Sequence, residues 1–550
     1  MLVTLAIWIL LATLASAIGC ACLSSVPFSA LTDRLMVSAW VGAGVLANLW
    51  LSAALGVALK PWVAVVTAIA AVAAAARLLP PRPGLLESAQ RLARGAWLPV
   101  ALFGLAAAVA VAPVTLIDTG IYHYPAMRWL AEYGAVKGTA LLDVQLGYAS
   151  TWFALFAPFA HGGMKTRSAA LGGGFALALW LTSAGWAGAR IVRGAGRTSD
   201  WFLIWATALG VGALSQVAGL LASSSPDVPT AALIVATARM LLDGEQSPDD
   251  ERAGRYWAAA ALAGVAVGAK LTAAPLLLIA GWLAWRAAGF RRRAALGLAA
   301  LFGAALLPVT LARIVASGCP LFPSKLFALP VPWRYEMNPW QRADGVAREL
   351  TVAIRDQARW DWGALASPRY SQGPLDGLLD WRWLPSWPSH EPLAAALLAG
   401  SLLATLALLA RRGWSWTLGL GWLGSACALL QAPSLRFGVG YFVIPLALGL
   451  ARLSAGLPRW LPALVALVLV VALPFPASPP LLRPPRLTPT PVALEHINGL
   501  ALYRPTPRPG VFPRCGDSPL PCGSNIDPTV RLRNPRRGVA AGFVRGRPPE

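Results

Sequence analysis

Charged residues are scarce in this sequence, and that scarcity bounds the class of protein. Asp, Glu, Lys and Arg make up 13% of the 550 residues, whereas 57% are hydrophobic and the mean hydropathy is +0.59. Soluble globular domains are about 25% charged, so a soluble enzyme is excluded. Runs of about 20 apolar residues, the length that crosses a bilayer as a helix, recur along the chain. The sequence predicts an all-α, polytopic bundle of transmembrane helices.

Acidic residues are scarcer than basic ones, which bears on the partners of the chain. There are 24 Asp and Glu against 46 Lys and Arg, a formal charge of +22. In a soluble protein that excess would indicate nucleic acid. Here the basic residues gather in short loops and in the C-terminal tail, where they fix topology and contact anionic lipid headgroups. Membrane lipid is therefore the predicted partner, and nucleic acid binding is not expected.

Several chemical motifs are missing as well. The sequence has no Walker-type glycine loop, no dinucleotide-binding fingerprint and no helical His motif for zinc. Nucleotide-driven and zinc chemistry are therefore not expected.

Cysteine is rare, with six residues in the chain. Three lie in apolar segments and one at the end of such a segment, where thiols act as packing residues. Cys515 and Cys522 differ, because they stand seven positions apart in the polar, Pro-rich stretch "RCGDSPLPCG". This spacing predicts a small disulfide loop, provided that the segment lies in an oxidising compartment.

Apolar segments of helix length are what the sequence has in abundance. They predict a transmembrane domain over residues 1–475, followed by a Pro- and Arg-rich tail over residues 476–550. About fourteen spans are expected. Their predicted bounds are 2–24, 37–59, 61–79, 96–116, 168–190, 201–222, 226–243, 256–270, 271–287, 294–315, 392–410, 414–431, 437–453 and 458–475.

Basic loops give these spans a common orientation. Alternating the spans places five basic loops on one side, which the positive-inside rule assigns to the cytoplasm. The five loops are residues 76–95, 189–197, 285–295, 410–413 and 451–459. Loops 117–167 and 316–391 and the tail then face the periplasm of a bacterial inner membrane, the composition being typical of a GC-rich bacterium. Residues 142–162 either re-enter the membrane or span it, and the sequence leaves both alternatives open.

The loop 316–391 is rich in Trp, in stretches such as "DWRWLPSWPS". Trp favours the headgroup level of a membrane, where its ring is in an apolar environment and its N–H is hydrated. The loop is therefore either an interfacial anchor or a cap over a site for a carbohydrate or lipid-linked ligand.

The first external loop carries the densest group of polar and aromatic residues, in "DTGIYHYPAMRWLAEYG". Asp118 closes a predicted span, and a carboxylate at that depth is costly unless it is paired or faces a cavity, so it is a functional candidate. The alternative is that Asp118 caps the helix that follows. His123 is either a proton donor and acceptor near neutral pH or a structural hydrogen-bonding residue.

Three further charged residues fall at span ends on the same predicted face. Asp227 begins a span, as a functional carboxylate or as an N-terminal cap. Lys270 divides a long apolar stretch, where it either reaches up to headgroups or binds a phosphate as a point charge. Arg436 begins another span and could hold a phosphate with two N–H groups. Two carboxylates on one face also leave a divalent metal possible; no other cofactor is expected.

Taken together, these motifs resemble the GT-C class of polytopic glycosyltransferases. The resemblance rests on Asp118 at the end of a span, the Pro-Asp turn at residues 226–227, the "GAK" break at residues 268–270, and "SGCPLFP" at residues 317–323. Some uncharacterised bacterial multi-pass proteins share a closely similar set, including "CGDSPLPCG". The class often has two adjacent acids in the first loop; here Thr and Gly follow Asp118, and Asp143 or Asp227 would have to supply the second.

The resemblance implies a function and roles for these residues. Asp118, with Asp227 and His123, would be catalytic, and Lys270 and Arg436 would hold the phosphate of a polyprenyl-phosphate-linked sugar. The other first-loop candidates for substrate contacts are Tyr122, Arg128 and Trp129. The expected activity is sugar transfer at the periplasmic face for assembly of a cell-envelope glycan. A transporter or flippase for a lipid-linked saccharide and an oligosaccharide polymerase or ligase are the alternatives.

Overall fold

The chain is described here from a computed structural model. The structure describes residues 1–28, 30–78, 96–336, 350–360, 378–506 and 513–546. Most of the basic loop 76–95 and much of the Trp-rich loop lie outside the described residues.

Long helices account for most of the described chain, because its apolar segments satisfy their backbone hydrogen bonds internally. They are α1 (Leu2–Cys22), α2 (Leu31–Ala54), α3 (Pro61–Leu78), α4 (Trp97–Ala110), α7 (Gly172–Val192), α8 (Thr198–Ser215), α9 (Asp227–Glu245), α10 (Asp249–Ala269), α11 (Pro275–Ala287), α12 (Arg292–Ser317), α15 (Pro392–Ala410), α16 (Trp416–Gln431), α17 (Leu435–Leu453) and α18 (Leu461–Ala472). Shorter helices are α5 (Tyr124–Glu132), α6 (Thr151–Phe156), α13 (Leu350–Trp360) and α14 (Trp387–His390).

Among the described residues, seven helical segments are long and apolar enough to cross a bilayer. Six are α1, α2, α3, α12, α15 and α17, and the seventh runs over Ser168–Val192 and contains α7. Three shorter helices, α4, α11 and α18, are also apolar. The chain is thus mainly helical, with several helices suited to a membrane.

Residues 142–162 do not form a membrane-length helix. Their longest helix, α6, has six residues, which is about 9 Å of rise, whereas the hydrocarbon core is about 30 Å thick. All six side chains are buried. These residues therefore contain no single helix long enough to cross the hydrocarbon core.

One end of the bundle is held by buried ion pairs, which we call the distal network. Its members are Asp33, Arg190, Arg197, Asp200, Arg239 and Asp243. At its centre Arg239 Nη2 lies 2.8 Å from Asp33 Oδ1 and 3.2 Å from Asp200 Oδ1. The predicted basic loop 189–197 therefore contributes two cations to internal pairs as well as to surface charge.

The tail contains short β-strands, which the predicted fold class did not include. Strands β1 (Val492–Ile497) and β2 (Leu500–Pro505) pair antiparallel, and so do β3 (Val530–Leu532) and β4 (Phe543–Arg545). Asn498 and Gly499 connect the first pair with φ of 48° and 76°, the two-residue turn that favours Asn-Gly. The Cys515–Cys522 disulfide predicted from the sequence is formed.

The tail packs onto the first external loop. Leu502, Ile526, Val530 and Phe543 of the tail share one buried cluster with Trp129 of α5. Backbone bonds add to this contact: Phe543 N–H donates to Lys137 O at 2.8 Å, and Asp527 N–H to Leu141 O at 2.8 Å. The tail therefore supports the loop that carries Asp118.

Candidate functional site

Asp118 lies where the chain leaves α4 and turns into α5. A π-helical turn, Thr119–His123, follows it directly, and π-turns are frequent at functional sites. Gly120 packs closely against the tail inside this turn: a Cβ there would lie 2.6 Å from Cδ of Arg514, so a larger residue would displace the Arg514 side chain. The Gly516 N–H donates to the Gly120 carbonyl at 2.7 Å. The disulfide loop thus braces the turn next to Asp118.

Four charged side chains from separate segments meet beside this turn, and we call them the charge cluster: Asp118, Asp227, Lys270 and Arg436. Arg436 Nη1 lies 2.6 Å from Asp118 Oδ2, and Lys270 Nζ pairs with Asp227 Oδ1. Both cations lie over the Phe437 ring, Lys270 Nζ at 4.0 Å and Arg436 Cζ at 4.6 Å from its centroid. The shared ring joins the two ion pairs into one site.

The local structure explains why these side chains point at one another. Asp227 is the first residue of α9, directly after the N-cap residue Pro226, and it lies in the first turn of the helix. The Ser225 hydroxyl donates to Asp227 Oδ2 at 3.0 Å, and Lys270 occupies Oδ1. Asp118 makes no capping bond. The capping alternative is therefore not what the structure shows for Asp118, whereas Asp227 does lie at a helix N-terminus, where the dipole favours an anion.

Lys270 stands at the break between α10 and α11, with the extended angles φ −156° and ψ 131°. Pro275 starts α11, so the helix cannot run through this point without disruption. The break directs the ammonium into the cluster and does not leave it free to reach headgroups. Its side chain is 21% exposed, against 4% for Asp227.

The two ion pairs of the charge cluster differ in how exposed their carboxylates are. This difference distinguishes the possible roles of Asp118 and Asp227. The Asp118 side chain is 24% exposed and its partner Arg436 19%. Asp227 is nearly fully enclosed. Asp118 is therefore the carboxylate within reach of a ligand, and Asp227 chiefly holds Lys270 in place.

A narrow crevice runs between α9, which carries Asp227, and α17, which carries Arg436. Its charged lining is Asp227, Lys270 and Arg436, and Thr230 and Phe437 complete its walls. The crevice has no room for a sugar-sized group in this structure.

His123 is fully buried beside the cluster. Its Nδ1 lies 3.3 Å from the Thr119 hydroxyl oxygen, and its Nε2 has no hydrogen-bond partner among the described residues. Burial lowers the pKa of the His123 imidazole from its ordinary 6.5 to about 4. The ring is therefore neutral at pH 7 and acts as a hydrogen-bonding group, not as a cation.

The pKa of His123 predicts a pH dependence of stability. Because the unfolded chain takes up a proton near pH 6.5 and the folded chain only near pH 4, the free energy of unfolding should fall as the pH falls through that window. The full difference is about 3 kcal/mol. The His123→Gln variant should lack this component when denaturation is measured at pH 7.5 and pH 4.5. The exposed His390→Gln is the matched control; an identical pH profile for wild type and His123→Gln would contradict the prediction.

Aromatic contacts connect His123 to the loop 316–391. The Tyr122 ring lies 4.3 Å from the His123 ring and 5.6 Å from that of Tyr148. Tyr148 in turn contacts Phe322 at 5.2 Å between centroids. Tyr122 is thus at the site as predicted, and the "SGCPLFP" segment reaches the site through Phe322.

Two predicted substrate contacts are not brought to the cluster. Arg128 is buried, donates to the Ser518 carbonyl in the disulfide loop, and pairs with Glu132 at 2.7 Å. Trp129 is buried against Phe543 of the tail, with 6.0 Å between ring centroids. Both residues hold the loop to the tail. The structure therefore does not place them in the charge cluster with Asp118, where substrate contacts were predicted.

Asp143 is also absent from the cluster. Its carboxylate accepts from the Ser524 hydroxyl at 2.5 Å and from the Gln145 N–H at 3.2 Å, and burial raises the pKa of the Asp143 carboxyl. It anchors the tail and does not supply the second acid, which leaves Asp227.

The described end of the Trp-rich loop contacts the segment before Arg436. Trp387 Nε1 donates to the Pro433 carbonyl at 2.7 Å, and the Glu391 carboxylate accepts from the Leu435 N–H at 3.0 Å. Sequence reasoning missed Glu391 and Phe437, since neither belongs to a motif. The loop segments 337–349 and 361–377 lie outside the described residues.

A metal ion would need several ligating side chains close together. In the described ranges, no group of three or more His, Cys, Asp and Glu side chains is arranged to hold a metal ion. The two acids of the cluster contact basic side chains instead.

A family model described as "Domain of unknown function (DUF8201)" matches residues 1–443. The match includes all four members of the charge cluster and ends before the tail. No curated protein and no solved structure matches the chain.

Proposed function

We propose that this chain, which belongs to the DUF8201 family, is a membrane glycosyltransferase that moves a sugar from a polyprenyl-phosphate carrier to a cell-envelope acceptor. The observation that supports this proposal is the pairing of Asp118 with Arg436 and of Asp227 with Lys270 in one cluster. Such a transfer needs a carboxylate base for the acceptor hydroxyl and cations for the phosphate leaving group. The charge cluster holds both types of group.

The proposed setting is a bacterial inner membrane. We take the fourteen main helices, seven of which lie in segments of membrane length, as the spans of a GT-C-like bundle, and the end with the charge cluster as the periplasmic face. Two features support this orientation. The tail disulfide suits an oxidising compartment, and the basic residues at the opposite end suit the cytoplasm.

The ion pairs suggest an order of events. While each carboxylate is neutralised by a cation, neither is an effective base. An incoming phosphate competes for Arg436 and Lys270, because a guanidinium holds phosphate oxygens with two N–H groups and an ammonium acts as a point charge. Asp118, the more exposed acid, is released by this exchange. Binding of the donor thereby creates the base.

The transfer step then follows from the released groups. The acceptor oxygen attacks the anomeric carbon and gives its proton to Asp118. The bond from that carbon to the phosphate oxygen breaks, and the phosphate leaves with the electron pair, stabilised by Arg436 and Lys270. Neutral His123, whose Nε2 has no partner among the described residues, is the second group able to accept a proton.

The test is sugar transfer in membranes that carry the full chain and a panel of polyprenyl-phosphate-linked sugars. Asp118→Asn should lower the rate on the order of 100-fold or more, because loss of a general base costs about 10²–10⁴. Asp380→Asn, a carboxylate in an exposed pair with Arg382, is the control and should transfer at the wild-type rate. Wild-type transfer by Asp118→Asn would remove the assigned role.

One observation favours the transporter alternative. The distal network closes the opposite end of the bundle with buried ion pairs, so the two ends resemble a pair of gates. The same vesicles separate the candidates: movement of the lipid-linked saccharide between leaflets without any transferred sugar supports a flippase. Formation of a longer saccharide on the carrier itself would instead support a polymerase or ligase.

A further inference from the structure

Two membrane-length segments begin side by side at the end of the bundle that contacts the tail. One is α1, which begins at Leu2, and the other is Ser168–Val192, which begins directly after Arg167. The Trp8 indole N–H donates to the Leu171 carbonyl at 3.1 Å, and each of these two residues lies within about 9 Å of the start of its segment. The two starts are therefore near one level, where the headgroups of a surrounding bilayer are expected.

A segment of the tail, residues 481–487, bridges these two starts. The Leu2 N–H donates to the Leu481 carbonyl at 2.9 Å. At the other end of the segment, the Leu487 N–H donates to the Thr166 carbonyl at 3.1 Å. Backbone hydrogen bonds thus fix the segment at both ends, and its two arginines lie between them.

Three arginines gather at this level, and we call them the basic patch: Arg167, Arg483 and Arg486. A Cβ at Gly163 would lie 3.7 Å from Nη1 of Arg483, which places that guanidinium beside the loop before Arg167. Arg167 Nη1 donates to the Pro484 carbonyl, and its Nε is buried without a partner among the described residues. Burial, and after it the neighbouring Arg486 and Arg483, lower the pKa of the Arg167 guanidinium, as like charges close together do.

No carboxylate of the described chain forms an ion pair with the basic patch, whereas Lys165 in the same loop pairs with Glu132 at 3.5 Å. Asp517 is close enough to interact electrostatically with Arg486 but lies beyond ion-pair distance. The three arginines also belong to none of the five basic loops that the positive-inside rule assigns to the cytoplasm. Topology therefore does not account for them, and an anion from outside the chain would relieve their mutual repulsion.

Exposed apolar side chains border the basic patch. Leu2, Leu481 and Leu482 are each more than half exposed, and Leu2 begins a helix of membrane length. In a membrane these leucines contact acyl chains, so the patch lies where phosphate groups and acyl chains meet. A soluble anion would use only the arginines, whereas an anionic phospholipid matches both surfaces.

We propose that the basic patch is a headgroup-binding surface for anionic phospholipid, with the acyl chains along the exposed leucines at the start of α1. Guanidinium groups suit this role, because they hold phosphate oxygens with two parallel N–H groups. Clusters of Lys and Arg next to membrane helices recognise such headgroups. The proposal concerns binding alone and does not rest on sugar transfer.

The test uses the purified full chain in neutral detergent micelles, with phosphatidylglycerol, phosphatidylcholine of the same acyl chains and glycerol phosphate as probes. Phosphatidylglycerol should raise the unfolding temperature with increasing occupancy. Phosphatidylcholine should raise it less, and glycerol phosphate should not raise it. Equal effects of the two lipids would overturn recognition of the charge. Equal effects of glycerol phosphate and phosphatidylglycerol would indicate a site for soluble phosphate and overturn the lipid surface.

Variants then test the residues. Arg483→Gln with Arg486→Gln changes two exposed side chains and should weaken phosphatidylglycerol binding by about 25-fold, or about 5-fold for each arginine. Adding Arg167→Gln should weaken it by about 5-fold more; if this triple variant fails to fold, the double variant still decides.

The matched control is Arg536→Gln with Arg537→Gln, which removes the same charge from two other exposed positions of the tail. It should bind phosphatidylglycerol as wild type does. An equal loss in the two double variants would mean that net charge attracts the lipid, and an unchanged affinity in Arg483→Gln with Arg486→Gln would mean that the patch does not bind it. Either result would overturn the proposed surface.

Discussion

Replacing Lys270 by Met is expected to lower the free energy of unfolding by about 3–5 kcal/mol. The loss comes from Asp227, which is 4% exposed and would remain as a buried carboxylate without its ion-pair partner, with the Ser225 hydroxyl as its hydrogen-bond donor and Arg436 as the other cation of the cluster. Removing one member of a buried pair costs far more than the pair contributes, because the remaining charge keeps its desolvation cost and loses its partner. The measurement is denaturation of the full chain with sodium dodecyl sulfate, followed by tryptophan fluorescence.

The double variant Lys270→Met with Asp227→Asn separates this cause from lost packing. Both charges are then absent, so most of the stability should return, to within about 1 kcal/mol of wild type. Arg382→Met is the surface control and should change stability by less than about 1 kcal/mol. If the single and double variants lose equal stability, Asp227 is not an isolated charge in the single variant and the interpretation fails.

The positions of the cluster residues, though not their pairing, could be predicted from the sequence. Asp118, Asp227, Lys270 and Arg436 each end or begin an apolar segment, and the cost of charge inside a bilayer singles out such residues. Their partners could not be predicted, because Arg436 and Asp118 are 318 positions apart and Lys270 and Asp227 are 43 apart. Such contacts follow from helix packing, which no local pattern encodes.

The distal network shows what the number of basic residues in a loop does not predict. Arg190 and Arg197 fit the positive-inside rule as a basic loop, yet both pair with buried Asp33 and Asp200. Loop charge predicts the side of the membrane without distinguishing a solvated cation from a paired one. Arg197 and Asp200 are only three positions apart, but the pairs with Asp33 join residues more than 150 positions apart, so only the folded bundle identifies those pairs.

The first loop shows why the sequence placed Arg128 and Trp129 at the site of Asp118, whereas the structure does not. Polar and aromatic residues close to Asp118 in sequence were expected to share its site. In α5, however, these two side chains pack against the tail, because a helix distributes successive side chains around its axis. The tail contributes a core of its own, which a Pro-rich composition did not indicate.

Replacing Phe543 by Ala is expected to detach the tail from the first loop. Phe543 is fully buried and its ring meets the edge of Trp129 at 6.0 Å between centroids. Loss of a buried Phe side chain costs about 3–5 kcal/mol through lost transfer free energy and a cavity. Amide hydrogen exchange should therefore rise in β3, β4 and residues 124–147, while exchange in α9 and α10 stays at the wild-type level.

The control for this variant is Leu494→Ala, on the exposed face of β1, which should leave the exchange pattern unchanged. Faster exchange throughout the bundle in Phe543→Ala would mean that the tail and the helices unfold as one unit, against the local contact argued here. If only the loop is released, Asp118 loses the support that Gly516 gives to the adjacent turn. The proposed sugar transfer should then decline although no residue of the charge cluster is substituted, since the acid proposed to accept the proton must be held in place.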